Sequence, residues 1–335
     1  MRVAISGFGR IGKGLLRALF DSGIINEIEL VAINTRSDVQ MHAHLLKYDT
    51  VYGKWNGSVG VKDGNLVVNG KMIKWINETD PEKLPWKELK IDVVVEASGE
   101  FRKREDAEKH LKAGAKKVVI SAPGKGVDCT IVPGINDSAY KKEHKIISMA
   151  SCTTNSLAPV VKVIHEKFGI EKGFITTIHA YTADQNLMDG SHKKDIRRAR
   201  AAAVNIVPTS TGAAKAIGEI FPELNGKLDG VAMRVPVVDG SITDCSFVLK
   251  KEVTREEVNE ALKKASEGQL KGVLFYTEEP IVSSDIIRMP YAGIVDGQLT
   301  QAKGNLVKIF SWYDNEYGYA FRLAKFLGWL KKHGQ

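Results

Sequence analysis

One short segment constrains this chain more than any other: Gly7-Phe8-Gly9-Arg10-Ile11-Gly12, set directly after the apolar run Arg2–Ser6. Behind it, Ile11, Leu15, Leu16 and Leu19 fall on one helical face as far as Ser22-Gly23, and a second apolar run covers 28–34. Strand, glycine turn, helix and second strand make a βαβ unit, the context in which a G-x-G-x-x-G pattern is informative. Glycines there permit a tight turn and let a pyrophosphate approach free N–H groups at the helix N-terminus. Gly7, Gly9 and Gly12 are therefore candidate cofactor-binding residues.

Further apolar runs at 91–97, 118–121 and 146–149, with a helical stretch at 104–113, extend this into a doubly wound α/β domain to about residue 150. Asp63-Gly64 and Asn69-Gly70 mark hairpins in an antiparallel insertion. After Cys152 the texture changes. Leu157, Val160, Val161, Ile164 and Phe168 recur at helical spacing, and Pro159 among them predicts a kink or a later helix start. Alternating runs at 173–182, 230–237, 243–248 and Leu306–Tyr313 predict a mostly antiparallel sheet, interrupted by helices at 212–220 and 254–266. The amphipathic segment 316–332 could cover either half. The fold class expected is α/β: a Rossmann-type doubly wound parallel sheet plus an α+β catalytic domain with a mostly antiparallel sheet.

Composition excludes several classes. Three scattered cysteines in 335 residues form no disulfide framework, and no Cys or His spacing suits zinc, so no metal site is expected. No apolar run is long enough to span a membrane, and no apolar leader precedes the first strand; the chain reads as cytoplasmic. The net charge of +8 points to partners carrying phosphate or carboxylate. Half of it comes from 192–200, where five Lys/Arg meet one Asp. Without interleaved aromatics, that run makes nucleic acid an unlikely partner.

The end of the second strand lacks the acidic residue that usually holds the ribose hydroxyls of NAD. Thr35, Arg36 and Ser37 stand there instead. Hydroxyl donors and a guanidinium accept a 2′-phosphate, which favours NADP or use of both cofactors; in the alternative, Arg36 faces solvent and Asp38 takes the ribose. Cys152 lies in Ser151-Cys152-Thr153-Thr154-Asn155 at an expected helix start, where the helix dipole should lower its pKa. A lone cysteine is as readily a core residue, as Cys245 is expected to be. Thr177, His179 and Tyr181 alternate onto one strand face, so His179 can pair with Cys152 as the base of a nucleophilic dyad. Thr209-Ser210-Thr211-Gly212 opens a helix as a phosphate seat, and Arg234 in a strand needs a partner.

These motifs, with Arg197-Arg198-Ala199-Arg200, Thr211-Gly212-Ala213-Ala214-Lys215 and Trp312-Tyr313-Asp314-Asn315-Glu316, resemble the phosphorylating glyceraldehyde-3-phosphate dehydrogenase family over nearly the whole chain. The resemblance implies Cys152 as nucleophile and His179 as its base. It implies Thr182 and Arg234 on the substrate phosphate, and Ser151, Thr153, Thr211 and Gly212 on inorganic phosphate. Arg198 bridges toward both, though the choice among Arg197, Arg198 and Arg200 stays open. The resemblance also implies that Arg10 and Ile11 contact the cofactor pyrophosphate, that Ser121 lies on the adenine side of the cofactor and that Asn315 holds the nicotinamide amide. A homotetramer is implied, with a cofactor domain of 1–150 and 316–335 around a catalytic domain of 151–315. Gly190-Ser191 resembles the pair found in members that use NADP. Erythrose-4-phosphate dehydrogenase, which shares the Cys/His pair but hydrolyses its thioester, is the rival enzyme; an RNA-binding or redox-sensing protein is the rival outside catalysis.

Overall fold

The computed structural model describes residues 1–193 and 195–334; Lys194, part of the basic run, and Gln335 lie outside the described residues. The chain divides into two compact units, Met1–Ala150 with Ala320–Gln335, and Ser151–Tyr319.

The first unit is built on β1 (Arg2–Ser6), α1 (Arg10–Asp21), β2 (Glu29–Asn34) and α2 (Val39–Lys47). A two-residue ladder, β3 (Tyr48–Asp49) with β4 (Gly53–Lys54), precedes the insertion β5 (Val59–Lys62), β6 (Asn65–Val68) and β7 (Lys71–Ile76). Then come β8 (Val93–Glu96), α3 (Arg104–Lys112), β9 (Lys117–Ile120), β10 (Cys129–Thr130) and β11 (Ile146–Ser148). Nine strands form one sheet in the order β10-β11-β9-β8-β1-β2-β7-β6-β5. It is parallel from β10 to β7, and β5 to β7 pair antiparallel. Asp63 and Asn69 adopt positive φ ahead of Gly64 and Gly70, the conformation these hairpin turns require. The sheet is buried on both faces: Val3, Ala4, Ile5, Val94, Val95, Val118, Val119 and Ile120 have no appreciable solvent contact.

The second unit opens with α4 (Cys152–Phe168) and β12 (Ile170–Ala180). There follow β13 (Val207–Ser210), α5 (Ala213–Ile220), β14 (Leu228–Val235), β15 (Ser241–Leu249) and α6 (Arg255–Glu267). The last strands are β16 (Leu274–Thr277), β17 (Gly293–Asp296), β18 (Gln301–Lys303) and β19 (Leu306–Tyr313). The sheet runs β13-β14-β12-β15-β19-β17-β16, with β18 on β19; only β12/β14 and β16/β17 are parallel. Thr254 and Glu257 close a full capping box on α6.

α4 starts at Cys152, as its position suggests, and rules out the later start that Pro159 leaves open. Pro159 sits inside the helix. The proline removes one helical hydrogen bond. Burial of Leu157, Ala158, Val160, Val161 and Ile164 at 0% exposure offsets that loss. β12 ends at Ala180, so Tyr181 lies beyond the strand that carries Thr177 and His179.

α7 (Tyr317–His333) closes the chain. Residues from Ala320 onward belong to the first unit, where Leu323, Phe326, Leu327 and Leu330 are buried and Arg322 donates to the Pro133 carbonyl at 2.8 Å. No described helix is long and apolar enough to cross a membrane.

Candidate active site

The nucleophile candidate is set by the first turn of α4. Ala150 has φ +54°, a left-handed conformation uncommon for a residue with a side chain, and it turns the chain sharply into the helix. Ser151 is the N-cap, its Oγ accepting from Thr154 N at 3.0 Å. Cys152 follows, part-buried, with Sγ 3.5 Å from His179 Nε2. His179 Nδ1 lies 2.7 Å from the Ala180 carbonyl oxygen, which can only accept. With the proton on Nδ1, directed at that carbonyl, the Nε2 lone pair faces the thiol, and the nearby Arg234 Nη1, itself only a donor, makes no hydrogen bond to Nδ1.

Arg234 on β14 is in register with His179 on β12. Its Nη1 lies 3.0 Å from His179 Nδ1 and donates to the Ala180 carbonyl at 3.2 Å and to Thr182 Oγ1 at 3.0 Å. Thr182 Oγ1 donates in turn to Asp184, whose other oxygen takes Nη1 of Arg198. Asp195 stands 3.3 Å from Arg198 Nε. Arg200 instead pairs with Asp189, and Arg197 is exposed. Of the three clustered arginines, Arg198 is the one drawn into the Thr182–Asp184–Arg234 cluster. Thr182, Asp184, Arg198 and Arg234 thus form one connected polar cluster beside the thiol–imidazole pair, a candidate seat for an anion.

The electrostatics contain a second departure. Burial pushes the Cys152 thiol up; the Arg234 guanidinium and hydrogen bonds from Thr153 and the local backbone pull the other way and do not win. The lowering expected at a helix N-terminus is outweighed. Burial, then Arg234, lower His179 to about 3. The dyad without substrate is accordingly a neutral thiol facing a neutral imidazole.

Tyr313 was not anticipated. Its hydroxyl lies 2.9 Å from Thr153 Oγ1 and 2.7 Å from Thr177 Oγ1, and its ring meets His179 edge-on at 5.8 Å. It joins α4, β12 and β19 beneath the dyad. Tyr313 shares no motif with its partners, which only the assembled sheet brings to it, whereas Asp184 meets Thr182 two residues away and Arg198 fourteen away, within the segment after β12. The same contacts turn two expected phosphate ligands inward. Ser151 Oγ is occupied with Thr154, and Thr153 Oγ1 with Tyr313. Thr211 Oγ1 accepts from Ala213 N at 3.2 Å, while the space above Gly212, the N-cap of α5, is open. Asn315 Oδ1 accepts from Ser241 Oγ at 2.6 Å and Gly240 N at 3.2 Å, which leaves its Nδ2 as the group to offer a ligand.

In the first unit the glycine turn fits a dinucleotide. Gly7 has φ +95°, and a side chain there would collide with the Ser98 backbone. Above Gly9 the space is open, and a Cβ on Gly12 would strike the Gly7 carbonyl. These are the three roles of such glycines: tight turn, backbone approach to pyrophosphate, and close helix packing. Gly9 caps α1 without any side-chain bond, and the N-terminus of the helix offers the backbone N–H groups and dipole that suit an anion. The Arg10 guanidinium itself is held by Asp49 and lies 5.6 Å from the Tyr52 ring centre. Burial lowers Lys13 to about 8, with the Arg10 charge adding to the effect and Asp49 opposing it. Ser121 donates through N and Oγ to the Glu96 carbonyl. At the end of β2, Asp38 caps α2 by accepting from Gln40 and Met41 N–H. The Arg36 guanidinium does not face solvent alone, because it pairs with Glu100.

Comparison with known proteins agrees with both halves. The model of the glyceraldehyde 3-phosphate dehydrogenase NAD binding domain matches residues 1–104, and that of the C-terminal domain of the same enzyme matches residues 151–315. The chain is 57% identical over 332 residues to glyceraldehyde-3-phosphate dehydrogenase of Thermotoga maritima, covering 99% of both chains. It is 53% identical over 336 residues to the Geobacillus stearothermophilus enzyme, covering 100% of this chain and 99% of that one. The Streptomyces coelicolor enzyme is 54% identical over 327 residues, 97% of this chain and 96% of its own. With a Rossmann unit fitted to a nicotinamide dinucleotide and a Cys–His dyad beside an anion site, this chain belongs to the glyceraldehyde-3-phosphate dehydrogenase family.

Proposed function

We propose that this chain oxidises and phosphorylates D-glyceraldehyde 3-phosphate to 1,3-bisphosphoglycerate through a thioester on Cys152, and that it accepts NADP as well as NAD. The observation that carries the reading is the orientation of His179: Nδ1 is fixed by the Ala180 carbonyl, and Nε2 is aimed at Sγ within one network that also contains Arg234.

The substrate phosphate sits on Arg234, Thr182 and Arg198, and displaces the Asp184 carboxylate as their anion. His179 Nε2 takes the Cys152 proton as Sγ bonds to the aldehyde carbon. The Cys152 N–H at the start of α4 and the His179 imidazolium stabilise the oxyanion, and His179 returns the proton to it. Nicotinamide, when bound, supplies the hydride acceptor. As hydride leaves the carbon, Nε2 removes the hydroxyl proton and the thioester forms. A phosphate oxygen then attacks the thioester carbon, Sγ departs as thiolate, and the acyl phosphate is released. The seat for that phosphate is the open N-terminus of α5 at Thr211-Gly212, with Ser151 and Thr153 contributing once their hydroxyls turn. Asn315 offers Nδ2 to the nicotinamide carboxamide. Arg36, Thr35 and Ser37 take the 2′-phosphate, and no carboxylate on β2 opposes it. The exposed apolar side chains of Leu187, Met188, Ile196, Val204 and Ile206 fit burial between subunits of a homotetramer.

Steady-state turnover with each cofactor, with and without inorganic phosphate, tests this. Activity is expected with both cofactors, and it depends on phosphate. Phosphate-independent turnover of erythrose 4-phosphate in preference to glyceraldehyde 3-phosphate would overturn the assignment. Thr35→Asp is expected to shift the ratio toward NAD; an unchanged ratio defeats the cofactor reading.

A further inference from the structure

The carboxylate missing from the end of β2 has a counterpart elsewhere. β1 lies between β2 and β8, and Ser6 is in register with Asn34 on one side and with Glu96 on the other. Two residues past Asn34 stands Arg36; four past Glu96 stands Glu100. Their side chains meet in a two-pronged pair, Nη1 to Oε1 at 3.1 Å and Nη2 to Oε2 at 2.5 Å. The strands that flank β1 are about 9–10 Å apart, twice the ordinary strand spacing. The pair therefore joins the two strand ends on either side of the turn that fits the dinucleotide.

Glu100 is not a loose surface carboxylate. Ser98 N donates to Glu96 Oε1 at 2.8 Å, Ser98 Oγ bonds the same oxygen, and Glu100 N donates to Ser98 Oγ at 3.1 Å. Glu96 is buried at 1% exposure and its Oε2 lies 3.0 Å from His110 Nε2. Trp86 Nε1 donates to His110 Nδ1 at 3.1 Å, so the His110 proton is on Nε2 and directed at Glu96. This chain, running from the buried Trp86, His110 and Glu96 out to the exposed Ser98, fixes the backbone that carries Glu100, and Ser98 is the residue against which Gly7 packs.

We propose that Glu100 is a specificity-determining residue for cofactor choice: it serves as the resident anion on Arg36, and the 2′-phosphate of NADP must displace it, whereas NAD leaves the pair intact. The inference rests on Arg36 as the 2′-phosphate partner and adds the group that opposes it. A planar guanidinium presents its paired donors to one carboxylate or one phosphate face at a time, so the two anions compete for the same fork. Both side chains are about half exposed, which makes the pair exchangeable.

Titration calorimetry of the full chain with NADP+ and NAD+ decides the matter, on the wild type, Glu100→Gln, Arg36→Gln and the double variant. Glu100→Gln is expected to tighten NADP+ by about threefold to tenfold, the range of one exposed ion pair near a second charge. NAD+ should change by less than about twofold on the same scale. In the Arg36→Gln background the effect of Glu100→Gln should vanish, because the two act through one contact. If Arg36→Gln leaves NADP+ affinity unchanged, the assignment of Arg36 itself fails. If Arg36→Gln weakens NADP+ but Glu100→Gln leaves the ratio unaltered, only the role of Glu100 is overturned. Glu100→Gln that weakens NAD+ and spares NADP+ also overturns it, making Glu100 a ribose ligand instead. Persistence of the Glu100→Gln gain without Arg36 reduces it to long-range charge.

Discussion

The two units handle anions by different means. In the first, the dinucleotide cradle is main chain: a glycine turn, an uncapped helix start and room above Gly9. In the second, the anion site is side chains, with Arg234, Thr182, Asp184 and Arg198 linked across a strand and a loop. A backbone site depends on φ and on the absence of Cβ atoms, and tolerates most changes of charge nearby. A side-chain site depends on charge complementarity, and one substitution dismantles it.

The largest effect should come from the second unit. Cys152→Ser is expected to lower phosphate-dependent turnover by at least about 10⁴-fold, the scale of nucleophile deletion in covalent enzymes; stopped-flow reduction of cofactor in a single turnover checks it. Omitting the substrate phosphate should come next. Glyceraldehyde in place of its phosphate loses two or more charge-assisted hydrogen bonds at about 1.5–3 kcal/mol each. It also leaves Arg234 unneutralised beside His179, where the guanidinium helps hold the imidazole near 3. The loss should therefore appear in kcat as well as KM, measured by initial rates with the two aldehydes. A loss confined to KM would show that Arg234 binds without tuning the base.

In the first unit the contrast is sharpest between adjacent glycines. Gly7→Ala forces a side chain into the Ser98 backbone at positive φ and should cost about 2–3 kcal/mol of stability. Gly9→Ala meets nothing and should leave the unfolding free energy from urea denaturation within about 0.5 kcal/mol while weakening cofactor binding. Equal loss of stability in both would mean that Gly9 is structural after all.

The smallest effect concerns acid. His42, buried against Phe8 and Trp75, is lowered to about 4 by burial and then Lys13; His179 is lowered to about 3. Each binds its proton more weakly folded than unfolded, where the value is 6.5. Stability from these groups is full above about 6.5 and falls as pH drops, down to about 4 for His42 and 3 for His179. His42→Phe should flatten part of that fall in chemical denaturation between pH 7 and 4, and leave the part that belongs to the second unit.

Legibility from sequence followed the same division. The glycine turn, the parallel strands β1, β2, β8, β9 and β11, both hairpins and the α6 cap are local, so spacing alone exposed them. Cys152 and His179 were visible as a helix start and a strand position, and strand register then brought them within 3.5 Å. What escaped was nonlocal. Tyr313 bonds residues 160 and 136 positions away, and Glu100 meets Arg36 across 64. Those pairings need the order β8-β1-β2 or β12-β15-β19, which no periodicity encodes. Pro159 misled for the converse reason: its local penalty was legible, and the burial that outweighs it was not. The thiol at the start of α4 followed suit, since the dipole can be inferred from position and the desolvation cannot.

Asp49 on Arg10, Glu100 on Arg36 and Asp184 on Arg198 share a consequence for life in a crowded ionic medium. Each arginine waits with a carboxylate already in place, so a stray chloride or sulfate finds no bare cation and must evict a tethered rival. Only a ligand that brings several contacts at once can do so. These three guanidinium groups are thus already paired, the net charge of +8 resides on other cations, and small anions gain little by competing at the three arginines.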